Sequence, residues 1–209
     1  MIIAIDGTAA AGKSTLARRI ARHYDVPHLD TGSLYRAVAR DIQHAGHLLT
    51  DAEAAAEAAR LLDPGTLDDQ SLRLKGMGEA ASVIAAFPQV RAALLTFQRA
   101  FATQPGGAVV EGRDIGTVVC PQADAKIFVT ASAESRASRR YKELVGYGVD
   151  TTEMIVLQEI KDRDRRDSER AISPLKPADD ALLLDTTELD IEKAFAVALD
   201  LIDKVASRG

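Results

Sequence analysis

Gly7-Thr8-Ala9-Ala10-Ala11-Gly12-Lys13-Ser14 fits the spacing G-x-x-x-x-G-K-[ST], and its surroundings narrow the choice of fold. The apolar run Met1-Ile2-Ile3-Ala4-Ile5 leads in as a strand, and Thr15-Leu16-Ala17-Arg18-Arg19-Ile20-Ala21 leads out as a helix. A strand that turns through a glycine-bearing loop straight into a helix is one unit of a parallel α/β sheet. The glycines let the backbone curl so that successive N–H groups point inward as an anion nest. The helix N-terminus adds its positive dipole end. In such a loop Lys13 reaches the β- and γ-phosphates of a nucleoside triphosphate, and Ser14 offers its hydroxyl to Mg²⁺. Gly7, Thr8, Ala9, Ala10, Ala11, Gly12, Lys13, Ser14 and Thr15 are therefore the expected donor-binding residues.

The rest of the chain continues the alternation of short apolar runs and longer helical patterns. Runs at 2–5, near 26–29, and at 108–110, 126–130 and 181–184 read as strands. Helical spacing covers 14–23, 33–45, 52–62, 79–86, 88–102, 133–145, 152–169 and 190–206. Pro88 ends one helix and starts the next. Residues 63–76 are turn-rich, with weak alternation in Ser71-Leu72-Arg73-Leu74, and read as a minimal β-hairpin or a plain loop.

At 209 residues the chain suits one domain with, at most, a small insertion. A net charge of −5 argues against a broad nucleic-acid surface, although local basic clusters can hold small phosphorylated ligands. The single cysteine, Cys120, excludes an internal disulfide and fits a reducing compartment; it reads as a small core or loop residue. The five-residue N-terminal apolar run is too short for a signal peptide, and no stretch approaches the ~20 apolar residues of a membrane span. A cytoplasmic monomer without nucleic-acid or membrane partners is expected. His23, His28, His44 and His47 lack metal-ligand spacing and are assigned no chemistry.

Ligands of a parallel sheet sit at the carboxyl ends of the strands. Three strand ends carry conspicuous polar groups: the phosphate loop, Asp30-Thr31-Gly32-Ser33-Leu34-Tyr35-Arg36, and Glu111-Gly112-Arg113-Asp114. The second reads as a ligand-facing Thr31 and Arg36, or as a Thr/Ser helix cap with a solvated arginine. The third offers an arginine fork and a carboxylate acceptor, or only an ion pair in a loop. The charge-dense run 161–170 reads as a solvated helix with pairs such as Asp162–Arg166. Alternatively, Arg163, Asp167 and Arg170 at i, i+4 and i+7 present one face to a polyphosphate and a sugar. Arg136, Arg139 and Arg140 add charge to the same region, which suits a reaction that spreads negative charge over a transferring phosphoryl group.

Five segments together resemble bacterial cytidylate kinases of the nucleoside monophosphate kinase superfamily. They are Ile5 through Thr15, Leu29-Asp30-Thr31-Gly32-Ser33-Leu34-Tyr35-Arg36, Ala81-Ser82-Val83-Ile84-Ala85-Ala86-Phe87-Pro88-Gln89-Val90-Arg91, Glu111-Gly112-Arg113-Asp114-Ile115-Gly116-Thr117-Val118-Val119, and Arg170-Ala171-Ile172-Ser173-Pro174-Leu175. The resemblance covers essentially the whole chain. It implies a P-loop NTPase fold, three-layer α/β/α, with a five-stranded parallel sheet, a shortened CMP-binding insertion and a helical lid. One kinase domain would span 1–209, with a core of about 1–36, 103–132 and 178–209, an NMP-binding region of about 37–102, and a lid of about 133–172.

By the same resemblance the chain phosphorylates CMP and dCMP from ATP with Mg²⁺. Arg36, Arg113 and Arg170 would grip the CMP phosphate, and Ser82, Arg91 and Asp114 would read the cytosine edge. Arg163 and Asp167 would serve the ribose and phosphates, with Thr31 in the acceptor site. Lys13, Arg113, Arg163 and Arg170 are the expected catalytic residues. Thr8 stands where the family often has Pro, Thr31 where Ser is frequent, and Glu111 where Asp is common. The segment Leu74-Lys75-Gly76-Met77-Gly78 runs almost directly into the Ser82 helix, where the family usually carries a longer sheet segment. A kinase for UMP or dephospho-coenzyme A and a non-enzymatic nucleotide-binding regulator are the competing readings.

Overall fold

The consecutive aliphatic residues Ile3, Ala4 and Ile5 need cover on both faces of a sheet. In the computed structural model, which describes residues 1–206, they lie in the central strand β1 (Ile2–Gly7) and are fully buried. Around it stand β2 (His28–Asp30), β3 (Ala108–Gly112), β4 (Ala125–Thr130) and β5 (Leu182–Asp185), in the spatial order β2-β3-β1-β4-β5. The sheet is parallel throughout with helices on both sides, the expected α/β architecture. Its register sets Asp6 opposite Gly112 on one side and Gly7 opposite Val129 on the other.

Helix α1 (Lys13–His23) turns Leu16, Ala17, Ile20 and Ala21 into the core, the spacing of a helix with one apolar stripe. They pack with Ile3, Ile5, Ile127, Val129 and Leu184 of the sheet and with Ala198 and Ile202 of the C-terminal helix (Ile191–Ala206).

The chain forms two compact units, one from Met1–Leu29 and the chain from Ala102 on, the other Asp30–Phe101. The second is helical: α2 (Thr31–His44), α3 (Ala52–Arg60), α4 (Met77–Ile84) and α5 (Pro88–Ala102). Asp51 starts α3 by accepting the Ala54 N–H at 3.0 Å. Residues 63–76 form neither a hairpin nor a plain loop. Asp63 and Asp69 accept the N–H groups two residues on, each at 2.8 Å, and start two short 3₁₀ turns, Pro64–Thr66 and Gln70–Arg73. Such local side-chain bonds compete with strand pairing, and Pro64 removes a donor.

In the first unit α6 (Ala133–Gly146) and α7 (Glu153–Glu169) pack through Ala137, Leu144, Val156 and Ile160. The final helix, α8, is the Ile191–Ala206 helix already placed on the sheet. One element has no counterpart in the sequence reading. Residues Ile115–Val119 wind a single π turn, in which the N–H groups of Val119 and Cys120 reach back to the carbonyls of Asp114 (3.2 Å) and Ile115 (2.7 Å).

Gly7 and Gly12 need glycine for different reasons. Gly7 has φ +147°, and a Cβ there would lie 1.9 Å from the Val129 carbonyl oxygen, whereas Gly12 has φ +85° but faces open space. Gly7→Ala is expected to cost about 3 kcal/mol or more, because the sheet itself must shift. Gly12→Ala should cost only ~1 kcal/mol, the backbone preference alone. Urea unfolding of both variants checks this, and equal losses would contradict it.

Candidate active site

The phosphate loop leaves β1 between its two neighbours, and the Thr8 N–H continues the pairing to Val129 at 3.3 Å. Ala10 (φ +58°) and Gly12 (φ +85°) are both left-handed, which curls the intervening amides into a concave nest at the start of α1. The Lys13 Nζ is folded onto the loop, donating to the Thr8 carbonyl at 2.8 Å. Two side chains brace the loop from behind. The Thr186 hydroxyl lies 3.2 Å from the Ala11 carbonyl and 3.1 Å from that of Thr130. Arg136 donates to the Ala9 carbonyl at 3.2 Å and to the Ala131 carbonyl at 2.8 Å.

Ser14 donates to Glu111 Oε2 at 2.9 Å, and Glu111 Oε1 lies 3.0 Å from His28 Nε2. Glu111 is only 1% exposed, so its charge is held by these partners rather than by water. A hydroxyl and a buried carboxylate beside a phosphate nest are hard oxygen ligands. That donor set fits Mg²⁺ held mainly by substrate phosphates, not by a protein cage.

At the end of β3, Arg113 Nε donates to Asp167 Oδ2 at 2.9 Å, and Arg163 approaches the same oxygen at 3.8 Å. The structure thus brings Arg113, Arg163 and Asp167 together around a carboxylate that is 3% exposed. Arg170 differs from expectation. The helix stops at Glu169, and Arg170 is extended (φ −61°, ψ 138°), with its Nε donating to the Ser173 carbonyl. The i+7 face argument therefore holds for Arg163 and Asp167 but not for Arg170, because the chain turns back there and Leu175 N–H bonds the Asp167 carbonyl at 2.7 Å. Asp162 takes Arg165 at 3.0 Å, a spacing of three rather than the expected four.

In the second unit, α2 begins at Thr31, and Asp30 occupies the cap position without a side-chain cap bond. Its carboxylate instead holds Arg36 at 2.7 Å, while Ser33 Oγ donates to the Asp30 carbonyl at 2.6 Å. Arg36 is thus a paired residue, not a solvated one. Thr31 is buried at the start of that helix. Ser82 is half-buried on α4, and Arg91 of α5 is buried with its guanidinium 5.7 Å from the Tyr35 ring centroid.

Several residues take roles here other than those the sequence suggests. By sequence Arg136 adds to the charge of the arginine-rich region. It is instead buried and forked onto Asp164 at 3.0 and 2.6 Å, tying α6 to α7. Arg139 donates to Thr186, and Arg140 pairs with Glu143. His28 has a definite role as Glu111's partner, and no sequence spacing announces it because the two lie on neighbouring strands. Asp6 did leave a signal: it is a carboxylate closing an otherwise apolar central strand. Both its oxygens accept backbone N–H groups, from Ile115 and Gly116, each at 2.7 Å. Burial pushes its pKa from 3.8 to about 6; the two N–H bonds and Lys13 pull the other way, and nearby Asp114 adds to the rise.

The sequence profile of the family described as Cytidylate kinase matches residues 3–204. The chain is 60% identical over 203 residues to the cytidylate kinase of Methylocella silvestris, covering 97% of this chain and 94% of the relative. It is equally identical over 203 residues to that of Xanthobacter autotrophicus, covering 97% of each. Identity to the Rhodopseudomonas palustris cytidylate kinase is 55% over 205 residues, 98% of this chain and 97% of the relative. Among solved structures, an uncharacterized protein from Eubacterium ventriosum shares the fold, with a TM-score of 0.55 at 17% identity over 97% of this chain and 98% of that one.

The Asp6 shift has a measurable consequence. Its folded pKa lies above its ordinary value, so the stability it contributes is fully present below pH ~4 and is lost as pH rises through about 6. The difference in unfolding free energy between wild type and Asp6→Asn should therefore fall by on the order of 3 kcal/mol across that window and then level off. Urea unfolding at intervals from pH 4 to 7.5 measures it; a difference that does not vary with pH would contradict the assignment.

Proposed function

The chain belongs to the cytidylate kinase family, and from that premise we propose how it transfers the γ-phosphoryl group of ATP to CMP and dCMP. The observation that carries the reading is the convergence at two adjacent strand ends. The register that sets Asp6 beside Gly112 also sets the phosphate loop beside Arg113 and Asp114. Lys13 and Ser14 stand at the start of α1, and Glu111 holds Ser14 from below.

The nest formed by Gly7 to Thr15 holds the ATP phosphates, and Lys13 exchanges the Thr8 carbonyl for phosphate oxygens. An oxygen of the CMP phosphate attacks the γ-phosphorus in line, as the bond from that phosphorus to ADP breaks. A phosphate monoester has its second pKa near ~6, so the attacking oxygen is ionised at neutral pH and no general base is required. Catalysis then rests on positioning and on positive charge, which explains a site rich in arginine. Mg²⁺, held by Ser14 with Glu111 behind it, neutralises charge on the phosphate oxygens when bound.

Arg36, Arg113 and Arg170 grip the acceptor phosphate. Arg36 and Arg113 are held by Asp30 and Asp167, and Arg170 by the Ser173 carbonyl, partners that a phosphate can replace as acceptor. Arg163 and Asp167 serve the ribose and phosphates, and Thr31 contributes its hydroxyl. Ser82, Arg91 and Asp114 read the base: an ionised carboxylate accepts from the cytosine amino group and repels the carbonyl oxygen that uracil has there. Residues 133–172 act as a lid that excludes water. The enzyme works as a cytoplasmic monomer; the single cysteine, buried and in no disulfide, supports the reducing compartment.

A coupled assay of ADP formation with CMP, dCMP, UMP and AMP tests the whole reading, and turnover of CMP and dCMP well above the other two is expected. In the same assay Asp114→Asn should lower the CMP:UMP ratio of kcat/KM by ~10-fold or more, since an amide can also donate to uracil. A ratio that stays put would leave Asp114 with no part in base reading.

The arginine grip is tested separately. Arg170→Ala should lower kcat/KM for CMP by ~10² or more, the loss of a charge-assisted bond in a closed site. Arg165, on the same segment but 65% exposed and paired only at the surface with Asp162, is the control; Arg165→Ala should change kcat/KM by less than about twofold. Similar small effects from both would remove Arg170 from the site.

A further inference from the structure

Asp6 takes no part in the reaction described above, yet its surroundings are built with care. It immediately precedes the first glycine of the phosphate loop and pairs across the sheet with Gly112, two residues before Asp114. The side chain is 4% exposed. Its planar carboxylate accepts the N–H groups of Ile115 and Gly116, which are the two peptide nitrogens directly after Asp114. The nitrogen of Ile115 belongs to the peptide plane that begins at the Asp114 carbonyl. Binding it orients that plane, and binding the next nitrogen to the same rigid group removes the remaining freedom. The Asp114 carbonyl is held in turn, accepting the N–H groups of Val118 at 2.9 Å and Val119 at 3.2 Å from the π turn. Gly116 packs against this clamp: a Cβ there would lie in ordinary contact with Asp6 Oδ2 at 3.4 Å and would meet the Lys126 stem at 3.1 Å.

A buried carboxylate is an expensive way to close an apolar strand. What it supplies is two convergent acceptors on a group anchored in the central strand. We propose that Asp6 is a positioning residue for base selection. It acts through Asp114, holding that side chain at one orientation relative to the phosphate loop, and it touches no substrate itself. The inference rests on the reading of Asp114 as the carboxylate that faces the base. Loosening the clamp lets Asp114 adopt a range of orientations, which blurs repulsion of uracil without disturbing the nest that holds ATP.

The test is a double-mutant cycle on base selectivity. Asp6→Asn keeps one acceptor oxygen but turns an NH₂ toward a backbone N–H. It should lower the CMP:UMP ratio of kcat/KM by about 5-fold while KM for ATP stays within about twofold. In an Asp114→Asn background it should lower the ratio no further. A fall in melting temperature with an unchanged ratio would show Asp6 to be purely structural and would overturn the proposal. If Asp114→Asn alone leaves the ratio unchanged, the underlying reading of Asp114 fails instead, so the two failures are distinguishable. Should Asp6→Asn not fold, Asp6→Glu keeps the charge but adds a methylene that displaces both acceptor oxygens from the two N–H groups. A lowered ratio there supports the proposal, and an unchanged one overturns it.

Discussion

Everything at the site depends on the burial of β1 between two parallel neighbours. Its backbone groups are paired on both edges and its side chains covered on both faces, so neither end can drift. The strand runs at full depth to Gly7, where the Val129 carbonyl leaves no space for a side chain. The loop that follows therefore emerges at a fixed point and angle, and α1 starts with its N-terminal amides directed at the same place. Parallel pairing also delivers the ends of β3 and β4 to the same edge of the sheet, which is why residues a hundred positions apart in sequence meet there.

Among the buried carboxylates at that edge, Asp6, Glu111 and Asp167 are each satisfied differently. Asp6 is held by backbone amides, Glu111 by Ser14 and His28, and Asp167 by Arg113 with Arg163 nearby. Asp167 faces arginines, and in the proposed reaction a substrate phosphate would replace one anion with another there. The amide-bound carboxylate has no such exchange partner, so it behaves as scaffold. Its raised pKa reflects that isolation, since burial outweighs the bonds that favour its charge.

The strands and most helices were legible because their signals are local: unbroken aliphatic runs for buried parallel strands, and 3.6-residue periodicity for helices. The phosphate loop was legible because its chemistry is written in consecutive residues. Failures came where local signals competed or the deciding contact was distant. Alternation at 71–74 suggested a strand, but the aspartates at 63 and 69 bent their own backbone first. The end of the helix at 169 was read correctly, but the i, i+7 spacing put Arg170 on its face, since nothing in the sequence shows Leu175 returning to the Asp167 carbonyl. The π turn at Ile115–Val119 escaped notice because it depends on that segment meeting Asp6 from another strand.

By itself, the amino-acid sequence determined the parallel α/β class, the donor loop and the family, since each rests on residues adjacent in the chain or on an overall pattern. Tertiary structure decided which charges became scaffold and which stayed exchangeable. Arg136 reads in sequence as one more charge in the arginine-rich region and is a buried tie to Asp164, whereas His28, assigned no chemistry, holds Glu111. A side chain's ionic partners depend on which strand ends and helix faces are brought within 3 Å of it. That is settled by the packing of the whole sheet and not by any local preference of the chain.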